Sequence, residues 1–369
     1  MRPNIIRTSL AAAAAAVLLM ITGCGSSAPA AGPDGALVID GETIGTAELY
    51  RAAQDEGTLT AYLSYPTDVS QAILDRFSQD TGINVELVRL NSSGLYNRII
   101  AEAGANQLPA DVISLSEAGL YNDLRERGII AAHKVANFAD LPADRRAGDG
   151  SWYSVINLVT TIAYNNKVVP ADQAPRSWAD LLDPRWVGKI GTNHIHAGGA
   201  SYTTFTFLKD KYGLDYWRDL AAQKPLLTDG VGALTDQLSR GEIAVSINHL
   251  GTVKTAIENG QPLSIVYPSD GVPTSQERLG MSATAPHPNA AKLYLEWTQS
   301  VHGGNVIAEA SGEYPTNPKA APPREADGRP SPTFEQLGGV SIPTPDSATR
   351  EEQIRLWDTT FSYTSPAKN

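Results

Sequence analysis

Neutral hydrogen-bonding residues gather at four places in this chain: Ser64-Tyr65-Pro66-Thr67, Asn91-Ser92-Ser93-Gly94, Ser114-Leu115-Ser116-Glu117 and Gly198-Gly199-Ala200-Ser201. The first three follow predicted strands and the fourth opens a predicted helix. Beyond the carboxyl ends of parallel strands, helix N-termini offer unpaired N–H groups and a positive dipole end, which suits a polar ligand held by neutral donors. Serine, threonine, asparagine and glycine are also the usual caps and turn formers, so for each serine taken alone capping is the favoured reading. Their joint placement at several strand ends favours a ligand site for the set. Tyr65, Tyr96, Tyr202 and Tyr314 stand at loop or helix starts where a cleft wall would lie, and Tyr65 is the one expected to touch a ligand.

Asn193-His194-Ile195-His196 holds a different chemistry. On a strand the two imidazoles would share a face, and such a pair suits zinc or copper, with His249 or Glu117 as possible further ligands. Polar packing at the surface or hinge is the competing reading. Catalytic signatures are absent: the chain has no Gly-x-Ser-x-Gly elbow, no His-Glu-x-x-His, no phosphate loop and no calcium loop. Binding is therefore favoured over catalysis, and no cofactor is expected. A tethered secreted hydrolase with a dispersed triad and an envelope scaffold without small-molecule affinity remain as alternatives.

Cys24 is the only cysteine of 369 residues. It follows Arg2, Arg7, an apolar run from Leu10 to Ile21 and the small pair Thr22-Gly23, the pattern of an exported lipoprotein signal. The run is shorter than the roughly 20 apolar residues a membrane span needs. Cleavage before Cys24 would leave an acylated N-terminus on 346 residues, and losing two arginines would take the net charge from −11 to −13. That charge disfavours nucleic acid as a partner. The expected location is the cell envelope outside the cytoplasmic membrane, with the lipid as anchor. Gly25 to Gly35 reads as a flexible stalk, within a tether and N-terminal extension spanning 24–57.

The elements that must position these residues alternate. Strand signals at Leu59 to Leu63, Val85 to Leu90 and Asp111 to Ile113 are separated by helices over Asp68 to Gly82 and Leu95 to Ala105, with another near Glu117 to Arg127. This rhythm predicts a parallel, doubly wound sheet. A second series follows, with strands at Ile162 to Tyr164, Ile243 to Ile247 and Leu263 to Tyr267 and helices at Ser201 to Tyr212, Val231 to Arg240 and Gly251 to Asn259. Two α/β lobes are expected. A late helix spans Asn289 to Val301, and irregular chain runs through Pro315 to Pro345.

In order along the chain stand Leu59-Thr-Ala-Tyr-Leu-Ser, Thr81-Gly-Ile-Asn-Val-Glu, Pro109-Ala-Asp-Val-Ile, Ala163-Tyr-Asn, Ser177-Trp-Ala-Asp-Leu-Leu-Asp-Pro-Arg-Trp-Val-Gly-Lys-Ile, Gly241-Glu-Ile-Ala-Val and Glu313-Tyr-Pro-Thr-Asn-Pro. From about Gly57 to Asn317 this series resembles the solute-binding proteins of ferric-iron-type ABC importers. The resemblance implies a type II periplasmic-binding-protein fold, two doubly wound lobes joined by hinge strands. It also implies a monomeric receptor that closes on a solute and delivers it to a permease driven by an ATPase. The chain would enter the second lobe near Val155 to Ala163, return near Pro268 to Thr284 and cross again before Tyr314-Pro315. The expected lobes are 58–155 with 270–312 and 156–269 with 313–369.

Cargo is read from departures as well as matches. Ferric-binding relatives carry adjacent tyrosines after the strand matching Ile243 to Ile247, whereas this chain has Asn248-His249-Leu250-Gly251. Glu117 matches a glutamate that ligates iron in some relatives. The relatives also hold an anion on a Ser-Gly-Ala-type turn, matched by Gly198-Gly199-Ala200-Ser201, beside an asparagine matched at Asn248 and His249. The resulting expectation is a phosphonate-, phosphate- or carboxylate-bearing solute held by Ser64, Tyr65, Ser92, Ser93, Ser116, Glu117, Gly199, Ala200, Ser201, Asn248 and His249. Ferric iron or another metal is the alternative. Alanine at Ser92, Ser116 or Asn248 should each weaken binding by ~0.5–1.5 kcal/mol.

Overall fold

The computed structural model describes residues 32, 34–197, 199–342 and 347–362. Arg2 to Cys24, with the signal and lipidation expectations, and Gly198 lie outside them. Among the described residues no helix is long and apolar enough to cross a membrane.

A hairpin, β1 (Leu37–Ile39) and β2 (Glu42–Gly45), leads into helix α1 (Ala47–Glu56), which Thr46 caps by accepting the Leu49 N–H at 3.2 Å. The predicted alternation follows: β3 (Thr58–Leu63), α2 (Thr67–Thr81), β4 (Asn84–Arg89), α3 (Ser92–Gly104), β5 (Val112–Leu115), α4 (Ala118–Glu126) and the short β6 (Ile130–Ala131). β3 pairs in parallel with β4 on one side and β5 on the other. Ile73 and Phe77 press the inner face of α2 into the core. Leu37, Ile44, Tyr50 and Ala53 join the same core, so residues 37–56 of the expected N-terminal extension are folded against this lobe.

β7 (Tyr153–Asn165) is far longer than the three residues its sequence suggests. The second lobe continues with β8 (Ile190–Asn193), α5 (Gly199–Tyr212), α6 (Leu214–Ala222), β9 (Leu226–Thr228), α7 (Val231–Ser239), β10 (Val245–His249), α8 (Leu250–Glu258) and β11 (Leu263–Val266). The chain returns along β12 (Val272–Ser282) to α9 (Pro288–Gln299) and α10 (Val301–Ser311), whose Leu293, Trp297 and Ile307 sit in the first-lobe core. It ends with β13 (Tyr314–Pro315), β14 (Gly339–Ser341) and α11 (Ser347–Phe361).

The sheet runs in the order β4-β3-β5-β12-β7-β10-β8-β9. β12 and β7 are antiparallel and serve both lobes. β12 pairs with β5 through Arg278 to Met281, while β7 pairs with β10 through Thr160 to Tyr164. The β12–β7 register shifts between Glu277 and Arg278. A bulge of this kind bends a strand and re-aims its side chains. Helices cover both faces of each half-sheet, giving the bilobed type II periplasmic-binding-protein fold. Separate apolar clusters flank each half: one around Leu59, Ile73 and Trp297 and another around Tyr62, Ile99 and Tyr121 in the first lobe. In the second they centre on Trp178, Phe205 and Trp217, and on Leu234 and Val253.

Candidate functional site

Adjacent parallel strands end together, so the residues that follow β4, β3 and β5 meet. The Ser116 N–H donates to Ser64 Oγ at 3.2 Å and to Ser92 Oγ at 3.1 Å, and the Ser92 and Ser116 hydroxyls are 2.7 Å apart. Ser64 and Ser114 donate in turn to Oε2 of Glu277, at 3.1 and 3.4 Å. Burial pushes the Glu277 carboxyl up to about 7, against the lowering effect of the two serines and Arg89. Three of the predicted serines thus form one network, organised by a hinge-strand glutamate that the sequence did not mark. Ser116 alone of the three borders the interlobe cleft. The network fixes the cleft floor and positions Ser116.

Four first-lobe expectations are corrected, the first two being Ser64 and Ser92, which support Ser116 from behind and do not line the cleft. The Tyr65 side chain is fully buried among the apolar residues of the first-lobe core, because the turn after β3 folds it inward beneath α2, so it cannot wall the cleft. Ser93 lies exposed in the first turn of α3 and is not among the cleft-lining residues.

The cleft holds about 370 Å³. The first lobe contributes Tyr96, Ser116, the start of α4 from Glu117, and Asp123; the second contributes Gly199, Tyr202 and Thr203 at the start of α5. Thr274 to Gln276 and Arg278 of β12 form its back, and Ile342, Arg350 and Glu351 of the C-terminal segment close one side. The lobes approach so closely that a methyl group on Gly199 would stand 3.0 Å from the Ser116 carbonyl oxygen. Glycine at this position permits that contact.

Charge in the cleft is arranged in pairs. Glu117 Oε2 lies 3.3 Å from Arg350 Nη2. Asp123 accepts from Tyr96 at 2.6 Å and from Arg127, and these hydrogen bonds hold its carboxyl below the usual range. Arg278 donates to Asn122 Oδ1 at 2.9 Å and lies 4.3 Å over the Trp152 ring. Burial draws its guanidinium down to about 10, leaving it charged at neutral pH. The N-termini of α4 and α5 add two positive dipole ends.

The remaining second-lobe expectations point elsewhere. Ala200 is buried and its carbonyl accepts from Thr204 Oγ1 at 2.8 Å. Ser201 and His249, both half-buried, line a separate small pocket of about 10 Å³ on the second lobe, room for about one water. Burial pushes the His249 imidazole down to about 4, so it is neutral at pH 7. Asn248 is fully buried and used at both ends of its amide. It donates to Thr235 Oγ1 at 3.1 Å and Ser246 Oγ at 3.3 Å and accepts the His249 N–H at 2.8 Å. Ala200 and Asn248 are therefore corrected from cleft contacts to buried groups of the lobe, and the half-buried Ser201 and His249 to a pocket apart from the cleft. Gly199 keeps its place at the cleft.

His194 and His196 do not share a strand face, because β8 stops at Asn193 and a 3-10 turn spans Ile195–Ala197. His194 pairs with Asp229, and His196 with Asp358 at 3.0 Å. Among the described residues no three His, Cys, Asp or Glu side chains gather to hold a metal ion. Tyr314 packs with Val159, Leu250 and Val272 instead of walling the cleft. Arg278 and Arg350 are among the cleft residues that the sequence did not mark, with Asp123, Thr274 to Gln276, Ile342 and Glu351. Ile354, Trp357 and Phe361, at helical spacing, were the available signal for the helix that carries Arg350.

A family model described as bacterial extracellular solute-binding protein matches residues 72–335. The chain is 24% identical over 294 residues to the Fe(3+)-binding periplasmic protein of Serratia marcescens, covering 75% of this chain and 85% of that protein. Among solved structures, iron-bound HitA from Pseudomonas aeruginosa superposes with a TM-score of 0.64 at 23% identity, covering 82% of this chain and 99% of that one. AfuA from Actinobacillus pleuropneumoniae, with exogenous fructose-6-phosphate bound, gives 0.64 at 21% identity over 84% of this chain and 99% of that one.

Proposed function

The chain belongs to the bacterial extracellular solute-binding proteins, and from that premise we propose that it captures a small polar, anionic solute in its interlobe cleft and delivers it to an ABC permease. The family works by binding, a transport role without a chemical step of its own, so the hydrolase reading is set aside. One observation carries the choice of cargo. Arg278 on the hinge strand and Arg350 on α11 border the same cleft as the N-termini of α4 and α5. Two guanidinium groups and two dipole ends supply charge-assisted donors to phosphate or carboxylate oxygens. Ser116 adds a hydroxyl held in place by its network.

Ferric iron is the second reading, and the names of relatives favour it over the first. The Serratia protein is named for Fe(3+) and the HitA structure is iron-bound, while AfuA carries a sugar phosphate. The chain's own geometry pulls the other way. Where tyrosines would be expected by resemblance, Leu250 is buried, and a Cβ on Gly251 would lie 2.3 Å from the Ser311 carbonyl oxygen. Glu117, the matching carboxylate, already faces Arg350.

Closure turns on β7 and β12, with solute contacts from both lobes favouring the closed state. The proposed lobes are 58–155 with 270–312 and 156–269 with 313–369, the folded residues 37–57 joining the first. Acylation of Cys24 would tether the body at the membrane as a monomer, and the mass of the mature N-terminal peptide tests it.

Native mass spectrometry with metal analysis of the purified protein, followed by thermal shift, tests the cargo. Inorganic phosphate, citrate or a sugar phosphate at a hundredfold excess over Kd should stabilise the protein by about 2.7 kcal/mol. Stabilisation by ferric nitrilotriacetate, with none from the anions, would establish the second reading.

A further inference from the structure

The family match ends at residue 335, and α11 lies beyond it, packed on the second lobe. The helix is firmly seated. Trp357 is buried with its ring 5.7 Å from Phe205 and 5.0 Å from Trp217. Gln353 accepts from Thr206 Oγ1 at 2.6 Å, and Asp358 meets His196 at 3.0 Å. From this second-lobe seat the first turn of α11 reaches across to the first lobe, where Arg350 meets Glu117 at the N-terminus of α4. Arg350 therefore spans the gap between lobes at the cleft's edge.

We propose that Arg350 is a solute-binding and specificity-determining residue, supplied by a helix outside the family-matched segment and lodged on Glu117 until an oxyanion takes it. The inference rests on the anionic-cargo reading above. The side chains of Arg350 and Glu117 are 40% and 20% exposed. An ion pair that wet is weak and readily exchanged. A phosphate or carboxylate entering between the starts of α4 and α5 offers the planar guanidinium two oxygens in place of one contact. Arg278 would meet the same anion from the hinge side. Glu117 then acts as a competitor, and its charge opposes a second anion beside it.

Isothermal titration of the full chain with inorganic phosphate and with citrate, at fixed ionic strength, tests this. Arg350→Gln should weaken binding of the probe tenfold or more, Arg350→Lys should recover part of it, and Glu117→Gln should tighten it several-fold. Unchanged thermal midpoints without probe show that the variants fold. A wild type that binds either anion while Arg350→Gln binds it equally well overturns the inference and leaves the cargo reading standing. Ferric nitrilotriacetate gives the opposite signs under the other cargo. If the wild type takes only iron, with Arg350→Gln tightening and Glu117→Gln weakening it, both readings fall.

Discussion

At the strand ends of the first lobe Ser64, Ser92 and Ser116 meet one another and Glu277, whereas in the second lobe Asn248 is buried and Ser201 and His249 line a small pocket apart from the cleft. Residue types at the two places are alike, so composition does not explain the difference. Nor does strand order: β9, β8 and β10 are adjacent and parallel, as β4, β3 and β5 are. The two places differ in what covers them. Trp357 of α11 lines the small pocket that holds Ser201 and His249, whereas the serines of the first lobe bond to one another and to a hinge strand.

The largest effect should come from loosening α11, the C-terminal helix seated on the second lobe. Trp357→Ala opens a cavity in that lobe's core and should cost about 3–5 kcal/mol in denaturant unfolding. A loss below about 1 kcal/mol would mean that α11 is only loosely attached.

The two lobes should also respond oppositely to pH. Glu277 titrates near 7 when folded and near 4.5 when unfolded, so its contribution is full below about 4.5 and is lost as pH rises to 7. His249 is depressed to about 4 from 6.5, so its contribution is full above 6.5 and is lost as pH falls to 4. Glu277→Gln should therefore remove stability loss on the alkaline side of this window, and His249→Gln on the acid side, each on the order of a few kcal/mol. Unfolding curves at pH 4, 5.5 and 7 measure both. Identical slopes in wild type and variants would break the contrast.

Smaller effects separate floor from interior. Asn248→Ala should destabilise by about 1–3 kcal/mol, through the unpaired groups it leaves, with solute affinity unchanged. Ser116→Ala should instead weaken solute binding by ~0.5–1.5 kcal/mol, as one lost hydrogen bond would. Calorimetric titration beside chemical denaturation distinguishes the two. Ser93→Ala, at an exposed helix position, should stay within about 0.5 kcal/mol in both.

Much of the architecture was legible because apolar periodicity is local. The strand before Ser64, the helix carrying Ile73 and Phe77, and the alternation through Ile113 all fall where their spacing placed them. The long β7 and β12 were harder to read, since Asn157, Glu277 and Arg278 interrupt their apolar runs with polar groups buried by partners distant in sequence. Convergence of Ser64, Ser92 and Ser116 could be anticipated from parallel strands. The role of Glu277 could not, because a contact across 213 residues leaves no local trace. Tyr65 misled because its neighbours are polar while its ring turns into the core. Arg350 was obscured by the proline-rich stretch before its helix.

β7 and β12 each contribute hydrogen-bonding edges to both halves of the molecule. Neither half can melt without tearing backbone pairs from the other. Heating should therefore produce a single calorimetric peak, and a ligand seated between the halves should shift that whole peak upward without splitting it in two.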